Sequence, residues 1–221
     1  MKRWYVLAAT LVIVALATSS ASAQQQPRRP GGGGGGFGAN PMMLLGQESV
    51  QQELKMSEDQ ISKVKAHQEK SLGSFRDFGN LSQEERQKKM QEIAQENEKF
   101  LGEVLKPEQK KRLDQIALQQ RGGDALTDPK VQTALGITDD QKEKIKAIQE
   151  DFRKTLGDLR SAGGGGDRAE MAKKMQEMRT ANSEKMLKLL TDDQKKKWEE
   201  MAGPKFTGKI EFRRPGGNNN N

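Results

Sequence analysis

The chain has 221 residues, 33% of them apolar and 5% aromatic, and its 38 basic and 31 acidic side chains leave a net charge of +7. So little apolar and aromatic material argues against a deep globular core and for thin, elongated helical hairpins. Cysteine is absent, which excludes disulfides and thiolate zinc sites, so folding must rest on helix packing alone.

At the start, Lys2 and Arg3 precede an apolar run from Trp4 to Leu16 that ends in Ala21-Ser22-Ala23. A basic segment, an apolar segment and a small-residue cleavage site read as a secretory signal peptide over residues 1–23. The run is shorter than the roughly 20 residues a membrane-spanning helix needs, so no span is expected after cleavage. Residues 24–41 are rich in Gln, Pro, Arg and Gly and read as a disordered linker. Residues 204–221 read as a basic Gly/Asn-rich tail, another tether. Within it, only Lys205 to Phe212 alternates enough to suggest a short extended segment.

The tails also explain the charge. Lys2, Arg3, Arg28, Arg29, Lys205, Lys209, Arg213 and Arg214 lie outside the helical part, with only Glu211 against them. That leaves 30 basic and 30 acidic residues inside it, so a nucleic-acid-binding core is not supported.

Between the tails the chain repeats. Met56-Ser57-Glu58-Asp59-Gln60, Leu105-Lys106-Pro107-Glu108-Gln109, Ile137-Thr138-Asp139-Asp140-Gln141 and Leu190-Thr191-Asp192-Asp193-Gln194 are four versions of one string. Ser57, Thr138 and Thr191 are N-caps, and Gln60, Gln141 and Gln194, three residues on, complete capping boxes. The acidic residues sit in the first turn, where the helix dipole favours them. The copy ending in Gln109 is weaker, because Lys106 is a poor cap, although Pro107 suits the first helical position. Ser82-Gln83-Glu84-Glu85 is a fifth box. Gln60 and Gln141 are 81 residues apart, and Gln109 and Gln194 are 85; the difference of four matches the tract Gly163–Gly166. The chain is therefore read as two tandem helical repeats, 42–122 and 126–203.

In each repeat the pattern predicts a short helix (about 48–54 and 129–135) and then a long one from Ser57 or Thr138. A third helix starts near Ser82 or Asp167, and a fourth after Leu105 or Leu190. Gly79 and Gly136 sit where helices should stop. The long helices carry narrow stripes: Ile61, Val64, Leu72, Phe75 and Phe78 in one copy, Ile145, Ile148, Phe152, Leu156 and Leu159 in the other. The third helices carry Met90, Ile93, Leu101 and Val104, and Met175, Met178, Met186 and Leu189. Asn97 and Asn182 lie on these stripes, where a polar residue usually fixes register. Glu84–Lys88, Glu85–Lys89, Glu150–Lys154 and Glu170–Lys174 are spaced as i,i+4 pairs on the opposite faces, each worth a few tenths of a kcal/mol.

Catalytic chemistry is missing. The single histidine, His67, has Ile148 as its counterpart in the other copy and reads as a packed residue; zinc prefers clustered ligands, and none exist. No nucleophile has a base beside it in a recognisable motif, and the glycine tracts are homopolymers rather than phosphate loops. No enzyme, cofactor or metal is expected.

A secreted, all-helical, cysteine-free chain with repeated Leu-Thr-x-x-Gln boxes resembles the Spy/CpxP family of periplasmic stress proteins, which includes the zinc-resistance-associated proteins. The resemblance covers roughly residues 42–203 and rests on the four strings above. Family members carry two motifs per chain and pair as antiparallel dimers that form a curved cradle; the cradle of Spy shields unfolded clients without ATP. The resemblance implies an all-α, cradle-shaped tandem of hairpins with disordered termini, located in the periplasm. One chain with four motifs would be a monomer equivalent to a family dimer. The histidines of the metal-linked branch are absent, so metal sensing is not implied.

Two functions follow as expectations. One is an ATP-independent holdase for unfolded or partly folded envelope proteins; the other is a helical module that docks to an envelope sensor or structural partner. Candidate client-binding residues are Phe75, Phe78, Met171, Met175, Met178 and Met186. Exposed methionines would suit promiscuous binding, whereas stripes at helical spacing usually form core.

Overall fold

The computed structural model describes residues 40–162 and 168–211, without the side chains of 72, 74–77, 160, 162, 168 and 169. The signal-peptide segment, residues 24–39 of the linker, the four-glycine tract, the side chain of Phe75 and the chain after Glu211 lie outside the described residues. The protein is all-α, and no strand occurs among the described residues.

Nine α-helices follow one another there: α1 Pro41–Leu44, α2 Glu48–Glu53, α3 Glu58–Arg76, α4 Gln83–Val104, α5 Pro107–Arg121, α6 Pro129–Leu135, α7 Asp139–Ala162, α8 Arg168–Leu187 and α9 Asp192–Ala202. Two 3-10 turns, Asp77–Asn80 and Gly122–Thr127, complete the path. The starts follow local chemistry. Ser82 Oγ accepts from Glu85 N at 3.3 Å while the Glu85 carboxylate accepts from Ser82 N at 2.8 Å. Gly136, at φ 65°, ends α6 in the left-handed conformation that glycine adopts without a Cβ clash.

That capping role alters the surface pairing. Glu170–Lys174 forms at 2.8 Å. The Glu85 carboxylate is held at Ser82 N, below the usual carboxylate range because of these hydrogen bonds, and Lys89 reaches Glu92 at 3.4 Å.

The apolar residues form two clusters, one per repeat. The first joins Leu44, Leu45, Val50, Val64, Leu101, Leu113 and Ile116. The second joins Ala125, Leu126, Val131, Leu135, Ile145, Met186 and Leu190. Adding 81 carries Leu44, Leu45, Val50 and Val64 onto Ala125, Leu126, Val131 and Ile145; adding 85 carries Leu101 and Leu105 onto Met186 and Leu190. All twelve are buried. Within each repeat the long helices pack on each other, α3 on α4 and α7 on α8. The stripe residues that join the clusters, Val64, Leu101, Ile145 and Met186, are thus covered inside their own hairpin. The repeats meet through α5 against α9.

The sequence did not suggest α1, nor the role of the segment after Arg121. Asn40 Oδ1 accepts from Met42 N at 2.9 Å and Pro41 opens the helix, so α1 starts at the last residue of the expected linker. By the same offset of 81, Pro41–Leu44 corresponds to Gly122–Ala125. The Gly122–Thr127 turn is thus the opening of the second copy, and it lies against α8. Two equivalent glutamines tie these segments down: Gln51 Nε2 donates to Leu45 O at 2.7 Å, and Gln132 Nε2 donates to Leu126 O at 2.8 Å.

The tail also departs from expectation over residues 204–211, which neither form a strand nor act as a free tether. Phe206 is buried in the first cluster, with Ile210 against it. Phe206 N donates to Gln119 Oε1 at 2.8 Å, Ser49 Oγ to Lys209 O at 2.6 Å, and Glu211 N to Gln47 Oε1 at 2.9 Å. Arg112 Nη1 donates to Pro204 O at 2.8 Å while its Nε donates to Glu53 at 2.8 Å. One buried aromatic and these backbone anchors outweigh the polar composition that suggested disorder. The chain leaving the second repeat is thereby fastened to the first.

Candidate functional site

The four motif glutamines do more than close their boxes. Gln141 N donates to Thr138 Oγ1 at 3.2 Å and Thr138 N to Gln141 Oε1 at 3.0 Å. Gln194 N donates to Thr191 Oγ1 at 3.3 Å and Thr191 N to Gln194 Oε1 at 3.0 Å. Each amide then crosses to the other motif. Gln141 Nε2 donates to Gln194 Oε1 at 2.7 Å and to Leu189 O at 2.7 Å. Gln194 Nε2 returns the bond to Gln141 Oε1 at 2.9 Å and reaches Gly136 O at 3.0 Å. Both side chains are buried, and each uses two donors and two acceptor directions, which is the full capacity of an amide.

The first repeat has the same clasp. Gln60 Nε2 donates to Gln109 Oε1 at 2.8 Å and to Val104 O at 2.7 Å; Gln109 Nε2 donates to Gln60 Oε1 at 3.2 Å and to Leu54 O at 2.9 Å. Ser57 N and Lys106 N donate to Gln60 Oε1 at 3.0 Å and Gln109 Oε1 at 2.9 Å. Gln60 N donates to Ser57 Oγ at 3.3 Å. Lysine carries no acceptor, so only the glutamine half of the box forms at Lys106. The clasp explains why the position is Gln: a Glu could close the box but would bring two acceptors face to face across the repeat. Local pattern pointed to capping, and the cross-pair was missed; the signal was an amide at the end of all four strings.

The hydroxyl caps carry a smaller share. Thr138→Ala and Thr191→Ala are each expected to lower stability by about 1 kcal/mol, with the buried cross-pair left in place. Thermal melts check this, and an unchanged melting temperature would show that the hydroxyls are not structural.

The candidate client-binding residues separate into two groups. Met186 is 0% exposed within the second core. A buried methionine cannot meet a partner without unfolding, so its assignment to a client surface is corrected. Met171, Met175 and Met178 on α8 and Phe78 in the first 3-10 turn are partly buried, as are Phe152, Leu156 and Leu159 on α7. None of these belongs to either buried cluster or its packed fringe. Away from the clasp, each hairpin is a layer two helices thick, which covers such side chains on one side.

The two seam asparagines have separate partners. His67 Nε2 meets Asn97 Oδ1 at 2.8 Å, and its ring stacks on Phe100 with centroids 4.0 Å apart. His67 is a packed residue in contact with aromatic and amide groups. Asn182 is buried and bonds to the carboxylate of Asp124, in the turn that opens the second repeat. Burial holds Asp124 above the ordinary carboxylate range, against the opposing pull of Arg179, Arg121 and Asn182.

A groove of about 650 Å³ lies where the repeats meet. Pro107, Ala117, Leu118, Val131 and Met201 form its apolar surface, and Lys110, Lys111, Arg121 and Lys130 mix with Asp114, Asp128 and Glu200 around it. The Arg121 guanidinium donates to Asp128 at 3.0 Å and, with Lys130 N, keeps that carboxyl below its usual range despite partial burial. The site offers apolar contact and paired charge. Among the described residues no group of three or more His, Cys, Asp or Glu is placed to hold a metal ion, and no helix is long and apolar enough to cross a membrane.

Comparison of the chain with protein-family models, with curated proteins and with solved structures returned no match.

Proposed function

We propose that this protein is an ATP-independent holdase of the periplasm, of the kind its motif pattern resembles, which binds unfolded envelope proteins along its long hairpins. The observation that carries the reading is the row of partly buried Phe152, Leu156, Leu159, Met171, Met175 and Met178 outside the buried core, with Phe78 in a comparable setting on the other repeat. Such side chains offer apolar contact without a deep pocket. Methionine adapts its shape to irregular partners. Lysines and glutamates alternate around them, as at Lys173–Glu177 and Lys174–Glu170, which keeps the surface wet. Many weak contacts of this kind hold a disordered chain and release it without a nucleotide cycle. With four motifs, two clasps and two cores in one chain, the active unit is a monomer.

The groove between the repeats supports a second reading, a docking module for one defined partner such as an envelope sensor, because its apolar surface and paired charges are suited to one shape. Light scattering of a reduced or heated client separates the two. Equimolar or smaller amounts of the holdase slow the aggregation of several unrelated clients, and sedimentation at low micromolar concentration shows a monomer. No effect on any client overturns the holdase and leaves the docking module; an obligate dimer overturns the single-chain unit.

A further inference from the structure

We propose that Met171, Met175 and Met178 form a thioether site for a soft monovalent cation, Cu(I) or Ag(I). The three lie on α8 at spacings of four and three, which places them on one face of the helix. Along the axis they are separated by about 6 and about 4.5 Å, and each side chain has three rotatable bonds. Met175, in the middle, can share an ion with either neighbour or with both. All three are partly buried, sheltered from bulk water but outside the closed core that holds Met186.

Packing does not require methionine at the first and last of these places. At the offset of 85 the first repeat has Arg86, Met90 and Ile93 in the matching positions. There Arg86 is partly buried, Met90 is 47% exposed and Ile93 is buried. The same seam therefore accepts a cation, an exposed thioether or a branched aliphatic, and only the second repeat lines three sulfurs in a row.

The donor chemistry selects the ion. Thioethers are soft and neutral and favour Cu(I) over zinc, calcium or magnesium. The chain has no cysteine, and its one histidine, on the first repeat, is engaged with Asn97 and Phe100. No stronger soft donor competes. A thioether has no proton to lose, so binding releases none and its affinity is flat between about pH 5 and 8, unlike binding through imidazole or thiolate. The ion binds without electron transfer, and Ag(I) is a redox-inert probe for either cation.

The test uses the full chain labelled with 13C at its methionine methyl groups, of which there are ten. Titration with silver nitrate saturates at one equivalent and shifts the signals of Met171, Met175 and Met178, with the same affinity at both ends of that pH range. Met175→Leu weakens binding about tenfold or more, as expected for a ligand when even supporting groups have effects of that size. The triple leucine variant loses saturable binding and keeps the far-UV spectrum of a helical protein. Shifts confined to other methionines, an affinity that rises steeply with pH, or no saturable shift overturns the site. The wild-type spectra decide the matter even if the triple variant does not fold. Client aggregation plays no part in the readout, so the holdase reading and this site stand or fall separately.

Discussion

Gln194→Ala lowers stability by about 3 kcal/mol, a loss of roughly 6–12 °C in melting temperature for a protein of this size. The substitution strands groups on both sides of the clasp. The Gln141 amide loses one donor and one acceptor partner while remaining buried, and Gly136 O and Thr191 N each lose a partner. A buried polar group left without a partner costs about 1–3 kcal/mol, far more than the net gain of an ordinary hydrogen bond. Because Gln141 and Gln194 bond to each other, the costs do not add. In a double-mutant cycle with Gln141→Ala, the second substitution costs less than the first by about 1–2 kcal/mol. Gln60→Ala has a smaller effect, since Gln60 is less buried than the other three. Urea or thermal unfolding of the four variants measures all of this. Additive losses near 1 kcal/mol would show that the glutamines cap their own helices and nothing more.

Gly123→Ala costs a similar amount, about 3 kcal/mol, through geometry alone. A Cβ at this position would lie 2.2 Å from the carbonyl oxygen of Ser183 and 2.8 Å from its Cα. Both are backbone atoms of α8, so no rotamer change relieves the contact. The turn must lift, and with it go the bond from Gly123 N to Ser183 Oγ at 2.7 Å and the burial of Ala125 and Leu126, each 0% exposed. Gly102→Ala is the control: nothing lies within 4 Å of its Cβ, and in the last turn of α4 alanine is favoured by up to about 1 kcal/mol. Equilibrium unfolding of both variants should give shifts of opposite sign. A neutral Gly123→Ala would mean that the turn does not pack closely on α8.

The motif strings made the helix starts legible because capping is local. A hydroxyl, three residues and an amide contain all the atoms that the box needs. The residues after Gly203 were harder to read. Phe206 and Ile210 sit among Gly, Lys and Pro, and composition alone suggested a tether. Their burial depends on a partner surface on α1, α2 and α5 that is more than 80 residues away in sequence. The fate of the methionines was equally non-local. Met178 and Met186 share one stripe, yet Met186 is enclosed by the second core and Met178 is not.

By itself, then, the sequence determined the helical class, the duplication, the absence of cysteine chemistry and the helix starts at the capping boxes, because all of these are written in composition, offset and short-range hydrogen bonding. Tertiary structure alone decided that the glutamines of distant motifs bond to each other, that Gly122–Thr127 opens the second copy against α8, and which apolar side chains remain partly uncovered. Those outcomes depend on which surfaces meet when α5 packs on α9 and each hairpin closes on itself, and a periodic pattern specifies a face without naming what will cover it.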